Sequence, residues 1–233
     1  MRDHSHDMQD GGGRRITIIQ ARKRLESRWP AIVAALATGA LFYAIPEDLT
    51  LGPAWLLFVI VAALMVPTTL THRAGRYDLN QILGYTMLSV ITAAVLSSLV
   101  LLIMRLPAHK DSPVELLRAA ASLWLANLLV FASWYWRIDG GGPNERDKRG
   151  VHTDGAFLFP QMLMDPAKRR EMGEDTWSPG FVDYLFLAFN TSTAFSPTDV
   201  PVLSRWAKVM MIVQSLISLA TVALLAARAV NIL

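Results

Sequence analysis

The apolar residues of this 233-residue chain are gathered into long blocks, which charged or Pro- and Gly-containing connectors separate. Hydrophobic residues make up 53% of the chain and charged residues only 18%. A helix needs about 20 largely apolar residues to cross a hydrocarbon core of roughly 30 Å. The pattern therefore predicts an all-α integral membrane helical bundle with five clear transmembrane helices. The five blocks are 31–45, 53–70, 82–104, 116–136 and 206–233.

The charged connectors divide the chain into four regions and orient it. Lys and Arg in short loops favour the cytoplasmic side of a membrane. The tail 1–28 is basic, as is the hydrophilic connector 137–180, which separates the four-helix region 29–136 from the C-terminal region 181–233. We therefore expect a multi-pass protein of the cell (inner) membrane whose N-terminus and long connector are cytoplasmic. The basic residues of the tail are Arg14, Arg15, Arg22, Lys23, Arg24 and Arg28.

The segment 181–196 is a sixth hydrophobic stretch, and its 16 residues are short for a membrane span. It either crosses the membrane or dips in and returns as a re-entrant helix. A crossing gives six membrane segments with both termini inside, and this is the arrangement we favour. A re-entrant segment places the end of the last helix outside.

The second half of this segment is polar, and the polar run continues without a charged residue until Asp199. It leads directly into the last helix. Hydrocarbon tolerates such a run only where protein buries it or water lines it. We predict that it lines a pore or a solute passage, with the alternative that its hydroxyls bond to carbonyls one turn earlier and that Asp199 caps a turn. The candidate lining residues are Asn190, Thr191, Ser192, Thr193, Ser196, Thr198 and Asp199.

The last 50 or so residues resemble the pore loop and closing helix of the potassium channel family. In that family a short helix leads into T-x-T-T-V-G-Y-G-D, and the matching residues here are Phe189, Thr191, Thr193 and Asp199. The glycine filter is absent, because residues 195–198 read Phe-Ser-Pro-Thr. Since Pro restricts its own backbone and that of the residue before it, the resemblance does not imply selective potassium conduction. The chain is also similar overall to small bacterial multi-pass membrane proteins of unknown function.

Composition argues against several other classes of protein. The chain has no cysteine, and its five histidines lie in the tail and the connectors, so we expect no cofactor, no metal site and no enzymatic activity. Its small net charge of +3 argues against a nucleic-acid partner. An enzyme acting on lipid headgroups would need His152, Asp154 and Asp139 to converge in a cleft.

Two functional hypotheses remain. The first is a channel-like or solute-passage protein, with the lipid bilayer, small ions or polar solutes as partners and a homo-oligomer permitted by the small residues of several helices. The alternative is a non-conducting scaffold or interaction protein, whose polar run joins helices and whose basic connector binds anionic lipid or a cytoplasmic partner. Asn127 and Gln214 are amides deep within predicted spans, and we expect them to join helices by hydrogen bonds.

Overall fold

The computed structural model describes residues 26–105, 112–149, 152, 154–174, 177–196 and 199–230. Within these residues the chain is all-α, as predicted, and its only β pairing is an isolated bridge between Phe157 and Val202. The helices are α1 Trp29–Leu41, α2 Trp55–Arg73, α3 Tyr77–Arg105, α4 Pro113–Ile138, α5 Pro143–Arg149, α6 Pro160–Leu163, α7 Pro166–Glu171, α8 Phe181–Thr193 and α9 Arg205–Val230.

Four helices of the described chain are long and apolar enough to cross a membrane, namely α2, α3, α4 and α9. Helix α1 with the turn that follows it, Trp29–Ala44, falls short of that length. The prediction of five clear transmembrane helices is therefore too high by one, because the first apolar block breaks into a 13-residue helix and a 3₁₀ turn. The helices are nonetheless those of a multi-pass, membrane-embedded protein.

Helix α4 is the centre of the bundle. It packs against α1, α3, α8 and α9, and it carries the largest share of buried residues among the long helices. Its N-terminus is fixed by a capping box, in which the Glu115 amide donates to Ser112 Oγ and the Ser112 amide donates to Glu115 Oε2, both at 3.2 Å. The outer helices expose apolar side chains such as Val66, Val100 and Leu216, as lipid-facing helices do.

An ion pair marks each end of the bundle. At one end, which we call the basic end, Arg146 after α4 pairs with Glu26 before α1 at 3.0 Å. The α2–α3 turn lies at the same end, where Asn80 Nδ2 donates to the Thr68 carbonyl. At the opposite end Arg105, the last residue of α3, pairs with Asp48 at 2.9 Å. Helices α1 to α4 therefore alternate in direction through the bundle.

The connector 137–180 is folded against the basic end in its described parts. Its apolar residues Ala156, Phe157 and Phe159 are buried, and the Phe157 ring contacts Tyr135 of α4 at a centroid distance of 5.2 Å. Three glycines at 140–142 all adopt positive φ, between 59° and 90°, so they form a defined turn after α4.

Candidate functional site

Helix α8 enters the bundle from the basic end and stops near its middle. Its first turn lies beside the C-terminus of α4, where the Phe181 and Trp136 rings are 6.0 Å apart. Its last turns reach the middle of α4, where Phe189 contacts Trp124 at a centroid distance of 6.4 Å. The N-terminus of α8 is capped by Asp183, whose Oδ2 accepts from the Gly180 amide at 2.7 Å.

The chain then returns to the end from which α8 entered. The Leu203 amide donates to the Ala156 carbonyl at 2.7 Å, and the Leu158 amide donates to the Pro201 carbonyl at 2.9 Å. Both bonds lie beside Phe157, which contacts the Tyr184 ring of α8. Since α9 begins directly after this pairing, α8 and α9 start at the same end and run parallel.

Segment 181–196 is therefore re-entrant, and the prediction that it crosses the membrane is wrong. Helix α9 leaves the basic end and runs antiparallel to α4, with Asn127 of α4 beside Ser218 and Tyr135 beside Gln214. Residues 26 and 230 consequently lie at opposite ends of the bundle; the two termini themselves, which we expected on one side, lie outside the described residues. A 13-residue helix spans about 20 Å, which is too short for a crossing.

A buried polar network holds α8 against α4 and α9, and Gln214 is its centre. Gln214 Nε2 donates to the Ala188 carbonyl at 2.8 Å and to Ser192 Oγ at 2.9 Å. Gln214 Oε1 accepts from the Tyr135 hydroxyl at 2.6 Å. Asn127 Nδ2 extends the network by donating to the hydroxyl of Ser218 at 2.8 Å. The expectation that Asn127 and Gln214 join helices is confirmed.

The predicted lining residues separate into two groups. Thr191 and Ser192 are 1% and 0% exposed; Thr191 donates to the Leu187 carbonyl at 2.8 Å, and Ser192 belongs to the Gln214 network. Thr193 is exposed and donates to the Phe189 carbonyl at 2.9 Å. Of the others, Asn190 is half-buried, Ser196 and Asp199 are exposed, and Thr198 lies outside the described residues.

The reversal after α8 is a tight one. Phe195 has φ of 53°, and it is the one non-glycine residue with positive φ among those described. A bulky side chain in the left-handed region costs on the order of 1 to 2 kcal/mol, which the surrounding structure has to offset. The chain is thus strained at Phe195, directly after the end of α8.

A second buried cluster, the Asp139 junction, ties the connector to α4 and α8. Asp139 Oδ1 accepts from the Ala156 amide at 2.5 Å, and Asp139 Oδ2 accepts from the Tyr184 hydroxyl at 2.7 Å. The Arg146 guanidinium lies 5.2 Å from the Tyr184 ring centroid and donates to the Asp139 carbonyl. Asp139 is fully buried, so each of these bonds forms away from solvent.

His152 lies beside this junction, with Nε2 3.7 Å from Asp139 Oδ2. His152 and Asp139, two of the three residues that a headgroup enzyme would need, therefore lie close together. Both are buried and do not line an open cleft, and the third residue, Asp154, is exposed. His152 Nε2 has no hydrogen-bond partner among the described residues. Burial lowers the pKa of His152, and the negative charge of Asp139 opposes this only in part.

We expect acid to destabilise the protein through His152. Because its pKa is lower in the folded protein, the unfolded chain binds more protons below the ordinary pKa, and stability falls as the pH drops through about 6.5. Thermal unfolding followed between about pH 7.5 and pH 5.5 should show a falling midpoint. The His152→Gln variant should show a shallower fall, and an unchanged pH dependence in that variant would contradict the assignment.

Two features of the site were not foreseen from the sequence. The first is the Asp139 junction, whose residues come from four separate segments of the chain. The spacing of residues in the sequence does not show that Asp139 and Tyr184 are buried. The cluster of arginines at the basic end was interpreted only as a signal of topology. One of its two buried members, Arg137, directly follows the aromatic sequence 134–136 at the end of α4. A basic residue that continues an apolar helix is the signal that could have marked it.

The described part of the chain holds no group of three or more His, Asp or Glu side chains arranged to bind a metal ion. The function is therefore argued from the re-entrant segment and from the polar groups around it. Comparison of the chain with protein-family models, with curated proteins and with solved structures finds no match.

Proposed function

We propose that the protein is channel-like and that its re-entrant segment lines a passage for small ions or polar solutes. One observation carries this proposal: α8 ends halfway through the bundle, and a non-helical polar loop follows it there. Irregular backbone at membrane depth is stable only where protein buries it or where it borders a water-filled space. The basic end faces the cytoplasm in this proposal, in keeping with the basic connectors.

The division between buried and exposed residues supports separate roles within the segment. Thr191 and Ser192 are buried, and Ser192 also accepts a hydrogen bond from Gln214, so neither hydroxyl is open to a solute. Thr193 and Ser196 are exposed on a single copy of the chain, beyond the anchored turns. We assign lining to Thr193 and Ser196 and place the exposed Asp199 at the mouth of the passage.

A homo-oligomer fits this geometry, because lipid cannot satisfy the exposed polar groups of one copy. Several copies arranged around an axis would face these loops toward a shared, hydrated centre. Selective potassium passage is not part of the proposal, since Pro197 prevents the carbonyl ladder that such selectivity requires.

The alternative is a non-conducting scaffold, and the Gln214 network is the observation that favours it. Gln214 donates to Ser192 Oγ and to the Ala188 carbonyl of α8 and accepts from Tyr135 of α4, so its side chain joins three helices in the interior. A scaffold needs no water beside Thr193. The presence of water at that residue therefore distinguishes the two functions.

Thiol labelling tests for that water, because the chain has no native cysteine. Thr193→Cys should react with a small, charged, membrane-impermeant thiol reagent in the reconstituted protein. Thr86→Cys is the matched control, since Thr86 is an exposed threonine on α3 whose Oγ1 also donates to a carbonyl four residues earlier, at 3.0 Å. We expect Thr193→Cys to be labelled and Thr86→Cys to be protected. Protection of both would overturn the proposal and favour the scaffold.

Flux through proteoliposomes provides the functional measurement. Wild-type protein should pass small monovalent ions or uncharged polar solutes across the bilayer, and Thr193→Val should change that flux severalfold because it removes a lining hydroxyl. The Thr86→Val variant should behave as wild type. Equal flux from wild-type protein and protein-free vesicles, for every ion and solute tried, would contradict the proposal.

A further inference from the structure

A cavity of about 220 Å³ lies at the basic end, between the ends of α1, α2, α3 and α4. It is separate from the re-entrant segment, and none of the candidate lining residues borders it. Both polar and apolar side chains line it, and no carboxylate is among the described residues that border it. The polar side is formed by Arg28, Thr68, Thr69, His72, Arg73, Asn80, Arg137 and Asn144.

The cations of this cavity differ in how they are paired. Arg28 is neutralised, because its guanidinium pairs with Asp147 and lies 3.4 Å from a Glu26 oxygen. Arg137 is only 7% exposed and has no carboxylate within 4.0 Å among the described residues. Its Nη2 donates to the Asn80 carbonyl, while its Nε has no hydrogen-bond partner there. A positive charge that is buried and unpaired is costly unless an anion accompanies it.

The surrounding helices hold the Arg137 guanidinium in place. The side chain crosses from α4 to α3 and lies directly over Gly84, where an added β-carbon would collide with it. Asn80 receives the guanidinium and is itself fixed by Nδ2, which donates to the Thr68 carbonyl at 2.6 Å. The charge is thus positioned before any ligand arrives, which lowers the entropic cost of binding.

The apolar walls indicate what kind of anion fits. Met65 and Met87 line the cavity on the side of the membrane spans, and Trp136 lies beside the arginines. On α2, next to the cavity, Val66 and Leu70 are exposed at 58% and 57%. A free inorganic anion would contact the arginines and leave these apolar surfaces uncovered. A lipid would contact both, with its headgroup on the arginines and its hydrocarbon on the apolar surfaces.

We propose that this cavity binds the headgroup of an anionic phospholipid, with the phosphate on Arg137 and Arg73 and the acyl chains along α2. A guanidinium binds phosphate through paired charge-assisted hydrogen bonds, and Arg73 is an exposed arginine at the rim of the cavity. The volume accommodates the phosphate and the groups next to it, while the chains remain in the bilayer.

Binding is tested on full-length protein in detergent, titrated with phosphatidylglycerol or phosphatidylcholine and followed by native mass spectrometry and by the unfolding midpoint. We expect phosphatidylglycerol to bind at least about tenfold more tightly than phosphatidylcholine. Arg137→Met should abolish this preference. Arg105→Met is the matched control, because Arg105 lies at the opposite end of the bundle, and it should keep the preference.

The unfolding midpoint without added lipid separates binding from a structural role. If Arg137 serves an anion, Arg137→Met removes an unpaired buried charge, so the lipid-free midpoint should stay the same or rise. A lower lipid-free midpoint together with an unchanged lipid preference would overturn the proposal. Inorganic phosphate at equal concentration should give no comparable stabilisation, and an equal effect would show that the site takes a free anion and not a lipid.

Discussion

Replacing Gln214 with leucine is expected to lower the free energy of unfolding by about 2 to 3 kcal/mol. The change removes the bonds to Tyr135, Ser192 and the Ala188 carbonyl in one step, and it leaves a buried phenol without its acceptor. Interhelical hydrogen bonds in membranes contribute on average about 0.6 kcal/mol each, and an orphaned buried hydroxyl adds a further cost. Unfolding of the purified protein in a mixed detergent series measures the difference.

Gln81→Leu is the control for this change. Gln81 is a half-buried glutamine of α3, and its Nε2 donates to the Tyr85 hydroxyl on the same helix. This hydrogen bond therefore does not join two helices. Replacement of Gln81 should alter the free energy of unfolding by less than about 0.5 kcal/mol. Equal unfolding curves for the two variants would mean that the Gln214 network does not hold α8 in place.

Replacing Asp139 with alanine is expected to cost about 2 to 4 kcal/mol and to release the connector from the bundle. The Ala156 amide and the Tyr184 hydroxyl would both lose their buried acceptor. Limited trypsin digestion detects the release directly, because Lys148, Arg149 and Lys168 lie in the connector. We expect faster cleavage in the connector at temperatures where wild-type protein is resistant.

The control replaces Asp78, an exposed carboxylate in the first turn of α3, with alanine. This variant removes the same charge from the same end of the molecule without disturbing a buried bond. Its free energy of unfolding should equal that of the wild type to within about 0.5 kcal/mol. Its digestion pattern should be that of the wild type. A connector that stays resistant in Asp139→Ala would show that the apolar contacts of Phe157 alone hold it.

The positions of the helices follow from apolar length, but the direction of α8 does not. Each predicted block became a helix within a few residues, because long apolar stretches in lipid have to satisfy their backbone internally. The segment 181–196 has the length of either a short span or a re-entrant helix. What decides between them is the pairing of residues 156–158 with residues 201–203, and strand-like contacts between distant loops leave no pattern in a single sequence.

The two amides of the buried polar network could be predicted from the sequence, but most of their partners could not. Asn127 and Gln214 stood out as amides in apolar helices, which is a composition signal. Thr191 and Thr193 look alike in sequence, yet only Thr193 is exposed, because helix periodicity turns Thr191 into the bundle and Thr193 away from it. The cavity around Arg137 is lined by residues that lie far apart in the sequence, from Arg28 to Asn144. Only the folded arrangement brings them together.

The end of α8 halfway through the bundle has an electrostatic consequence. Peptide dipoles aligned along a helix place the equivalent of about half a negative elementary charge at its C-terminus, and here that terminus lies within the depth of the bundle and not at one of its ends. The carbonyls of the last turn therefore attract positive charge to the middle of the membrane. In the passage that we propose, a cation beside this helix end would therefore be favoured over an anion.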